Sequence, residues 1–184
     1  MTYHYKPLIS KFTLTNEQDI ILVNIQQQTL MLLSHDETIK QWPVSSAKAG
    51  IGNRQNSLQT PLGAHIIADK IGEGEPVGSV FVGRQPSGKI ATIIDKPISS
   101  DVDLITSRIL WLKGLEPGTN LGGKVDTFER FIYIHGTDEE GLIGTPASHG
   151  CIRMRNEDII TLFDMVTVGT PVYICESQNT LDLV

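Results

Sequence analysis

The chain has 184 residues, which is enough for one domain with a substantial buried core. Its composition of 40% hydrophobic and 20% charged residues is that of a globular protein and excludes disordered or collagen-like chains. A net charge of −6 argues against nucleic acid as the main partner. The longest apolar runs have four residues, such as Ile20–Val23, whereas a membrane-spanning helix needs about 20.

The amino-terminal segment has no apolar stretch of about 7–15 residues after a basic start, so we expect no secretory signal in residues 1–20. This predicts a cytoplasmic protein if residue 1 is the natural start, and a periplasmic or cell-wall protein if a signal has been removed. The two cysteines, Cys151 and Cys175, are predicted to be free thiols.

The first part of the chain has short apolar runs separated by polar turns. This spacing is typical of a meander in a β-sandwich or β-barrel and predicts a mostly-β fold. The predicted strands are Ile20–Ile25, Thr29–Leu33, Thr38–Val44 and Ala64–Ala68.

The segment from Asp69 to Lys124 is rich in glycine and proline, and we interpret it as a long loop insertion that forms a lid or binding loop. After it, the pattern predicts a buried strand over Phe131–His135 and a last strand over Val172–Cys175. Between them, the apolar spacing of Asn156–Val166 predicts a helix capped by Asn156. One or two short helices are expected in total.

The chemistry is concentrated in two motifs, His135-Gly136-Thr137 and Ser148-His149-Gly150-Cys151-Ile152-Arg153. A thiol is a weak nucleophile at neutral pH unless a base lies beside it, and His135 can take the proton of Cys151. The carbonyl of Gly136 is placed to orient the imidazole. Backbone amides near Gly150 are candidates for holding a developing oxyanion.

Arg153 can pair with a substrate carboxylate, and Arg84, Lys89 and Trp111 are candidate contacts from the glycine-rich segment. The alternative for Arg153 is a structural ion pair with a protein carboxylate such as Glu157 or Asp158. Two further readings stay open, a zinc hydrolase with His135, His149 and Cys151 as ligands, and a binding module without catalysis. Cys175 is assigned to the core, and the isolated histidines are assigned to the surface or to loops: His4, His35 and His65.

These motifs resemble those of the L,D-transpeptidase catalytic domain, also called the YkuD-type domain. The resemblance covers roughly residues 20–175, leaving residues 1–19 as an extension and residues 176–184 as a tail. It implies a YkuD-type β-sandwich or barrel, peptidoglycan stem peptides as partners, carbapenem-type inhibitors and no cofactor or metal.

The resemblance also implies residue roles. Cys151 would form an acyl-enzyme after the third stem residue, diaminopimelate, with release of D-alanine. His135 would be the base and Gly136 its orienting carbonyl, with Ser148, His149 and Gly150 around the oxyanion. An amine would resolve the acyl-enzyme in a transpeptidase, and water would do so in an L,D-carboxypeptidase of cell-wall recycling.

Overall fold

The computed structural model describes residues 18–34, 37–100 and 102–177. These residues form ten β-strands, one α-helix and two 3-10 helices, at Gly123–Val125 and Glu140–Leu142. The strands and the helix are β1 (Ile20–Asn24), β2 (Thr29–Ser34), β3 (Glu37–Pro43), β4 (Gly63–Ile71), β5 (Ser79–Val82), β6 (Gln85–Ile90), β7 (Ile105–Gly114), β8 (Tyr133–Gly136), β9 (Ile152–Met154), α1 (Asn156–Met165) and β10 (Pro171–Cys175).

The strands make one mixed sheet in the order β3-β2-β1-β10-β4-β7-β5-β6, with β8 joined to β7 and β9 joined to β8. The β1–β10 and β8–β9 pairs are parallel, and the other pairs are antiparallel. Strand β7 pairs with β4, β5 and β8, so it is the branch point of the sheet. This branch carries β8 and β9, the two strands that hold the sequence motifs.

The main core is formed by buried aliphatic and aromatic side chains from α1 and from every strand except β5 and β6. On α1, Ile159, Leu162 and Phe163 face this core, which is the 3–4-residue spacing that an amphipathic helix buries. On β8 and β9, Ile134, Ile152 and Met154 face the same core. Because side chains alternate along a strand, their neighbours in the two motifs point to the opposite face.

The predicted mostly-β class is confirmed, as are the four amino-terminal strands to within one to three residues at their ends. The prediction of a long loop over Asp69–Lys124 is wrong, because that segment contains the end of β4 and all of β5, β6 and β7. Several of its glycines lie between strands, whereas Gly88 and Gly114 lie within β6 and β7. Gly83, for example, has φ of 55° in the two-residue turn between β5 and β6.

Two local predictions about α1 also need correction. The helix ends at Met165 rather than Val166, and Arg155 rather than Asn156 is its N-cap, with no side-chain capping bond. The Asn156 side chain instead accepts hydrogen bonds from Thr106 and Ser107 and donates to the carbonyl of Thr137. It therefore ties the start of α1 to β7 and to the end of β8.

The prediction that His65 lies on the surface or in a loop is wrong. It lies on β4 with 1% of its surface exposed. Its Nδ1 is 2.9 Å from the Gly63 carbonyl oxygen and its Nε2 is 3.1 Å from Thr127 Oγ1. His4 and His35 lie outside the described residues. In the part of the chain that the structure describes, no helix is both long enough and apolar enough to cross a membrane.

Candidate active site

Cys151 lies immediately before β9, beside Tyr133 at the start of β8. The Tyr133 amide donates to Cys151 Sγ over 3.3 Å, and the thiol donates to the carbonyl of Phe131 over 3.5 Å. The side chain also packs against a small apolar cluster that includes Phe81 and Ile109. Cys151 is a partly buried free thiol, and the free Cys175 is buried in β10, as predicted.

His135 lies on β8 with only 2% of its surface exposed. Its Nδ1 is 2.7 Å from the carbonyl oxygen of Gly136, as the sequence predicted for an oriented imidazole. Gly136 is confined, since a Cβ built there would lie 2.7 Å from the carbonyl oxygen of Thr106. The close packing of β7 against β8 thus requires glycine directly after the histidine.

The thiol and the imidazole lie on one face of the β8–β9 pair. Tyr133 and His135 are two residues apart on β8, so their side chains point to the same side. Asp103 and Arg153 act electrostatically on the pKa of both Cys151 and His135, which places the same two charges near both groups.

Burial determines the protonation of this pair. It raises the pKa of Cys151 to about 12, an effect to which Asp103 adds and which the Tyr133 amide and Arg153 oppose. Burial also lowers the pKa of His135 below its ordinary 6.5, although Asp103 and the Gly136 carbonyl act in the other direction. Both shifts favour the neutral thiol and the neutral imidazole over the thiolate–imidazolium pair.

The turn before Cys151 is tied together by Ser148, which is 1% exposed. Its hydroxyl donates to the Cys151 carbonyl over 2.5 Å and accepts from the Gly150 amide over 3.2 Å. Gly150 has φ of 134°, a conformation that favours glycine, and its carbonyl accepts from Thr60 Oγ1. Ser148 and Gly150 thus lie in the turn that precedes Cys151, and their action on an oxyanion stays a prediction.

The His149 side chain points away from this turn to Asp103. Its side chain is 67% exposed, and Nδ1 lies 2.7 Å from Asp103 Oδ2. Among the described residues, no group of three or more His, Cys, Asp or Glu side chains is arranged to hold a metal ion. The three residues considered as zinc ligands are therefore not gathered around one point.

Arg153 is 1% exposed and is paired with two protein carboxylates. Its Nη1 lies 2.7 Å from Glu139 Oε2 and 3.1 Å from Asp103 Oδ1. The alternative of a structural ion pair with a protein carboxylate is thus confirmed, but the partners are Glu139 and Asp103 rather than Glu157 or Asp158. Nε and Nη2 have no hydrogen-bond partner, and the binding of a substrate carboxylate by Arg153 stays a prediction.

Sequence analysis missed Asp103 and Glu139, which are 50 and 14 residues from Arg153 along the chain. Residue spacing in the sequence does not predict a contact between a loop carboxylate and an arginine on a distant strand. The acidic Asp138-Glu139-Glu140 run directly after His135-Gly136-Thr137 was the only signal available.

The comparison with known proteins agrees with this geometry. The sequence model of the YkuD family, the L,D-transpeptidase catalytic domain, matches residues 18–174. The chain belongs to this family. The resemblance inferred from the two motifs is therefore confirmed.

One relative is YqjB of Bacillus subtilis, which is named as an L,D-transpeptidase. It is 34% identical to this chain over 77 residues, which cover 39% of this chain and 44% of YqjB. YkuD of Bacillus licheniformis, named likewise, is 27% identical over 155 residues, covering 84% of this chain and 64% of that protein. The chain thus spans less than two thirds of the length of these relatives.

The fold is also that of solved L,D-transpeptidases. L,D-transpeptidase 3 from Mycobacterium tuberculosis, solved with a faropenem-derived adduct, superposes with a TM-score of 0.53 at 16% identity. The match covers 86% of this chain and 60% of that chain. At this identity the likeness shows the shared fold.

Proposed function

We propose that this protein is a cysteine acyltransferase or peptidase that acts on peptidoglycan stem peptides. It would cleave the peptide bond after diaminopimelate, release D-alanine and pass through an acyl-enzyme on Cys151. Family membership supports the L,D-transpeptidase chemistry. The observation that carries the proposal for these residues is the 2.7 Å contact between His135 Nδ1 and the Gly136 carbonyl, on the same face as the thiol.

In the acylation step, His135 removes the proton from the Cys151 thiol as sulfur attacks the carbonyl carbon of diaminopimelate. The carbon–nitrogen bond to D-alanine then breaks, and the imidazolium returns the proton to the leaving amine. The products are a thioester and free D-alanine. Since the resting thiol donates to the Phe131 carbonyl, its proton must first turn toward His135.

The Asp103 carboxylate, whose side chain is 26% exposed, raises the pKa of His135 and so stabilises the positive charge that forms there, although it also raises the pKa of Cys151 and so opposes loss of the thiol proton. The amides around Gly150 are proposed to hold the oxyanion. The thioester is then resolved by an amine of a second stem peptide, or by water, with His135 again transferring the proton.

Mass spectrometry of the purified protein with a disaccharide-tetrapeptide tests this proposal. Loss of D-alanine alone indicates a carboxypeptidase, and a cross-linked dimer formed with a second stem peptide indicates a transpeptidase. Cys151→Ala should abolish either product. Cys175→Ala is the matched control and should keep turnover, because that thiol is buried in β10.

Two results would contradict the proposal. One is equal turnover in wild type and Cys151→Ala, which would exclude the acyl-enzyme. The other is tight binding of the tetrapeptide with no product from the wild type, which would favour a binding module. We also propose that carbapenems acylate Cys151, which intact-protein mass spectrometry would show as a mass increase that Cys151→Ala lacks.

A further inference from the structure

Arg84 occupies an unusual backbone position close to the nucleophile. It follows Gly83 in the two-residue turn between β5 and β6, and it has φ of 68°. Both turn positions require positive φ, which favours glycine, asparagine or aspartate. An arginine held in this conformation is strained, and such residues are concentrated at ligand-binding sites.

The Arg84 side chain lies on an aromatic surface formed by Trp111, Phe131 and Tyr133. The guanidinium carbon is 4.5 Å from the Trp111 ring centroid and 5.2 Å from that of Phe131. Its Nη1 donates to the Tyr133 hydroxyl over 3.2 Å. Trp111 is itself fixed, because it stacks on Phe128 with ring centroids 3.9 Å apart.

This aromatic surface adjoins Cys151. The Tyr133 amide and the Phe131 carbonyl are the two groups that hydrogen-bond the thiol. Phe131 is a second strained residue, with φ of 57°, and its large apolar side chain is 50% exposed. Two residues with costly backbone conformations thus meet directly beside the nucleophile.

No carboxylate of the described residues neutralises the charge on Arg84. Among the described residues, its only hydrogen bond is to the Tyr133 hydroxyl, and no carboxylate pairs with it. Arg153 is paired with two carboxylates, and Arg130 donates to the carbonyls of Gly52 and Gln59. A guanidinium has five N–H donors, so most of those on Arg84 are available to a ligand.

We propose that Arg84 binds a carboxylate of the acyl-donor peptide and thereby positions the scissile carbonyl at Cys151. This inference rests on the proposed function and names the substrate group that is recognised. A planar guanidinium held by stacking is already oriented for a carboxylate, so little side-chain freedom is lost on binding. The donor offers two nearby carboxylates, that of the leaving D-alanine and that of the diaminopimelate side chain.

The test compares wild type, Arg84→Gln and Arg84→Lys on three donors: the tetrapeptide, the tetrapeptide amidated on D-alanine and the tetrapeptide amidated on diaminopimelate. Lys40→Gln is the matched control, since it removes a cation that also lies over a tryptophan, Trp42, on the distant edge strand β3. Thermal denaturation of each variant reports whether it is folded.

We expect Arg84→Gln to lower kcat/KM for the free tetrapeptide about ten-fold or more, the effect of losing one charged hydrogen bond. Wild type should be slowed by amidation of the recognised carboxylate, and the analogue that slows it identifies which one. Arg84→Gln should not distinguish that analogue from the tetrapeptide. The kcat/KM of Arg84→Lys should lie between those of wild type and Arg84→Gln, and the kcat/KM of Lys40→Gln should equal that of wild type.

Binding measurements separate this inference from the proposed function. In a Cys151→Ala background, calorimetry should show that Arg84→Gln weakens tetrapeptide binding about ten-fold or more, whether or not the wild type turns the peptide over. Equal losses on all three donors, or unchanged affinity in the Cys151→Ala background, would overturn the role of Arg84. If Arg84→Gln is unfolded, the same comparison with Arg84→Lys decides.

Discussion

His135 Nδ1 lies 2.7 Å from the carbonyl oxygen of Gly136, the next residue on the same strand. A carbonyl oxygen can only accept a hydrogen bond, so Nδ1 carries the proton and Nε2 keeps its lone pair. Gly136 is held in turn by its pairing with Thr106 on β7 and Met154 on β9. The backbone of the central strands thus sets the tautomer that the proposed general base requires.

Gly136→Ala should disrupt this arrangement. The added Cβ would lie 2.7 Å from the Thr106 carbonyl oxygen and 2.8 Å from Asn156 Oδ1, so β8 must shift. We expect destabilisation of about 1–3 kcal/mol, as for other overpacked sites, with at least ten-fold lower kcat/KM. Gly118→Ala is the control for lost stability: its φ of 76° strains an alanine, but a Cβ there meets nothing within 4 Å, so the variant should be less stable and keep the wild-type kcat/KM. Wild-type activity in Gly136→Ala would contradict the need for a fixed carbonyl.

The pH dependence follows from the shifted pKa values. Since the pKa of His135 is lowered, the acidic limb of kcat/KM should lie below pH 6.5, and protonation below it removes the base. Since the pKa of Cys151 is raised to about 12, the alkaline limb should lie far above neutral pH. Both limbs belong to the coupled pair. His135→Ala should slow acylation roughly 10²–10⁴-fold.

Alkylation gives an independent check of the resting state. A neutral thiol should react slowly with iodoacetamide at pH 7 and progressively faster as pH rises past 9, because only the thiolate attacks. Rapid alkylation of Cys151 at pH 6 would indicate a thiolate–imidazolium pair and contradict the neutral resting state.

His65 should make the protein less stable in mild acid. Burial lowers its pKa from 6.5 to about 4, so the unfolded chain binds a proton in this range that the folded chain does not. The neutral imidazole contributes its full share to the free energy of unfolding above pH 6.5. This contribution, on the order of 3 kcal/mol, is lost as the pH falls toward 4. Urea unfolding at pH 7.5 and 4.5 measures this loss.

His65→Gln separates packing from titration. At pH 7.5 the variant reports the cost of replacing the ring, and the further loss between pH 7.5 and 4.5 should be smaller than in wild type. The same loss in both proteins would show that another group is responsible.

Arg153→Lys should destabilise the fold because Glu139 and Arg153 are both almost fully buried, with side-chain exposures of 2% and 1%. The ammonium keeps the charge but cannot reproduce the guanidinium geometry toward Glu139 and Asp103. We expect a loss of about 1.5–3 kcal/mol in the free energy of unfolding, measured in urea. Arg155→Lys, two residues further and exposed, should change stability by less than about 0.5 kcal/mol.

Arg153 also bears on substrate binding. If Arg153 binds the diaminopimelate carboxylate, the wild type should turn over the free donor faster than the donor amidated on diaminopimelate. Arg153→Lys should turn over the two donors at similar rates. If wild type and Arg153→Lys lose activity equally on the amidated donor, Arg153 acts only through the structure.

The sequence by itself determined which residues are candidates for the chemistry and, through their motifs, the family. A strand ending in His135-Gly136 and a turn ending in Gly150-Cys151 are local patterns, and the reason for each residue lies within a few positions of it. The same holds for the amino-terminal strands, whose apolar runs and polar turns are local signals, and for the assignment of Cys175 to the core.

Only the tertiary structure decided what surrounds those residues. Asp103 contacts Arg153, and Arg84 contacts Trp111, because β7 pairs with strands on both sides. The order of strands in a sheet is not encoded in any local repeat of the sequence, so these contacts could not be predicted from it. The glycine-rich segment resembles a loop in composition but forms strands, because most of its glycines lie between strands and the strands pair with their neighbours in the sheet. The neutral state of the Cys151–His135 pair also depends on burial, which is a property of the packed molecule.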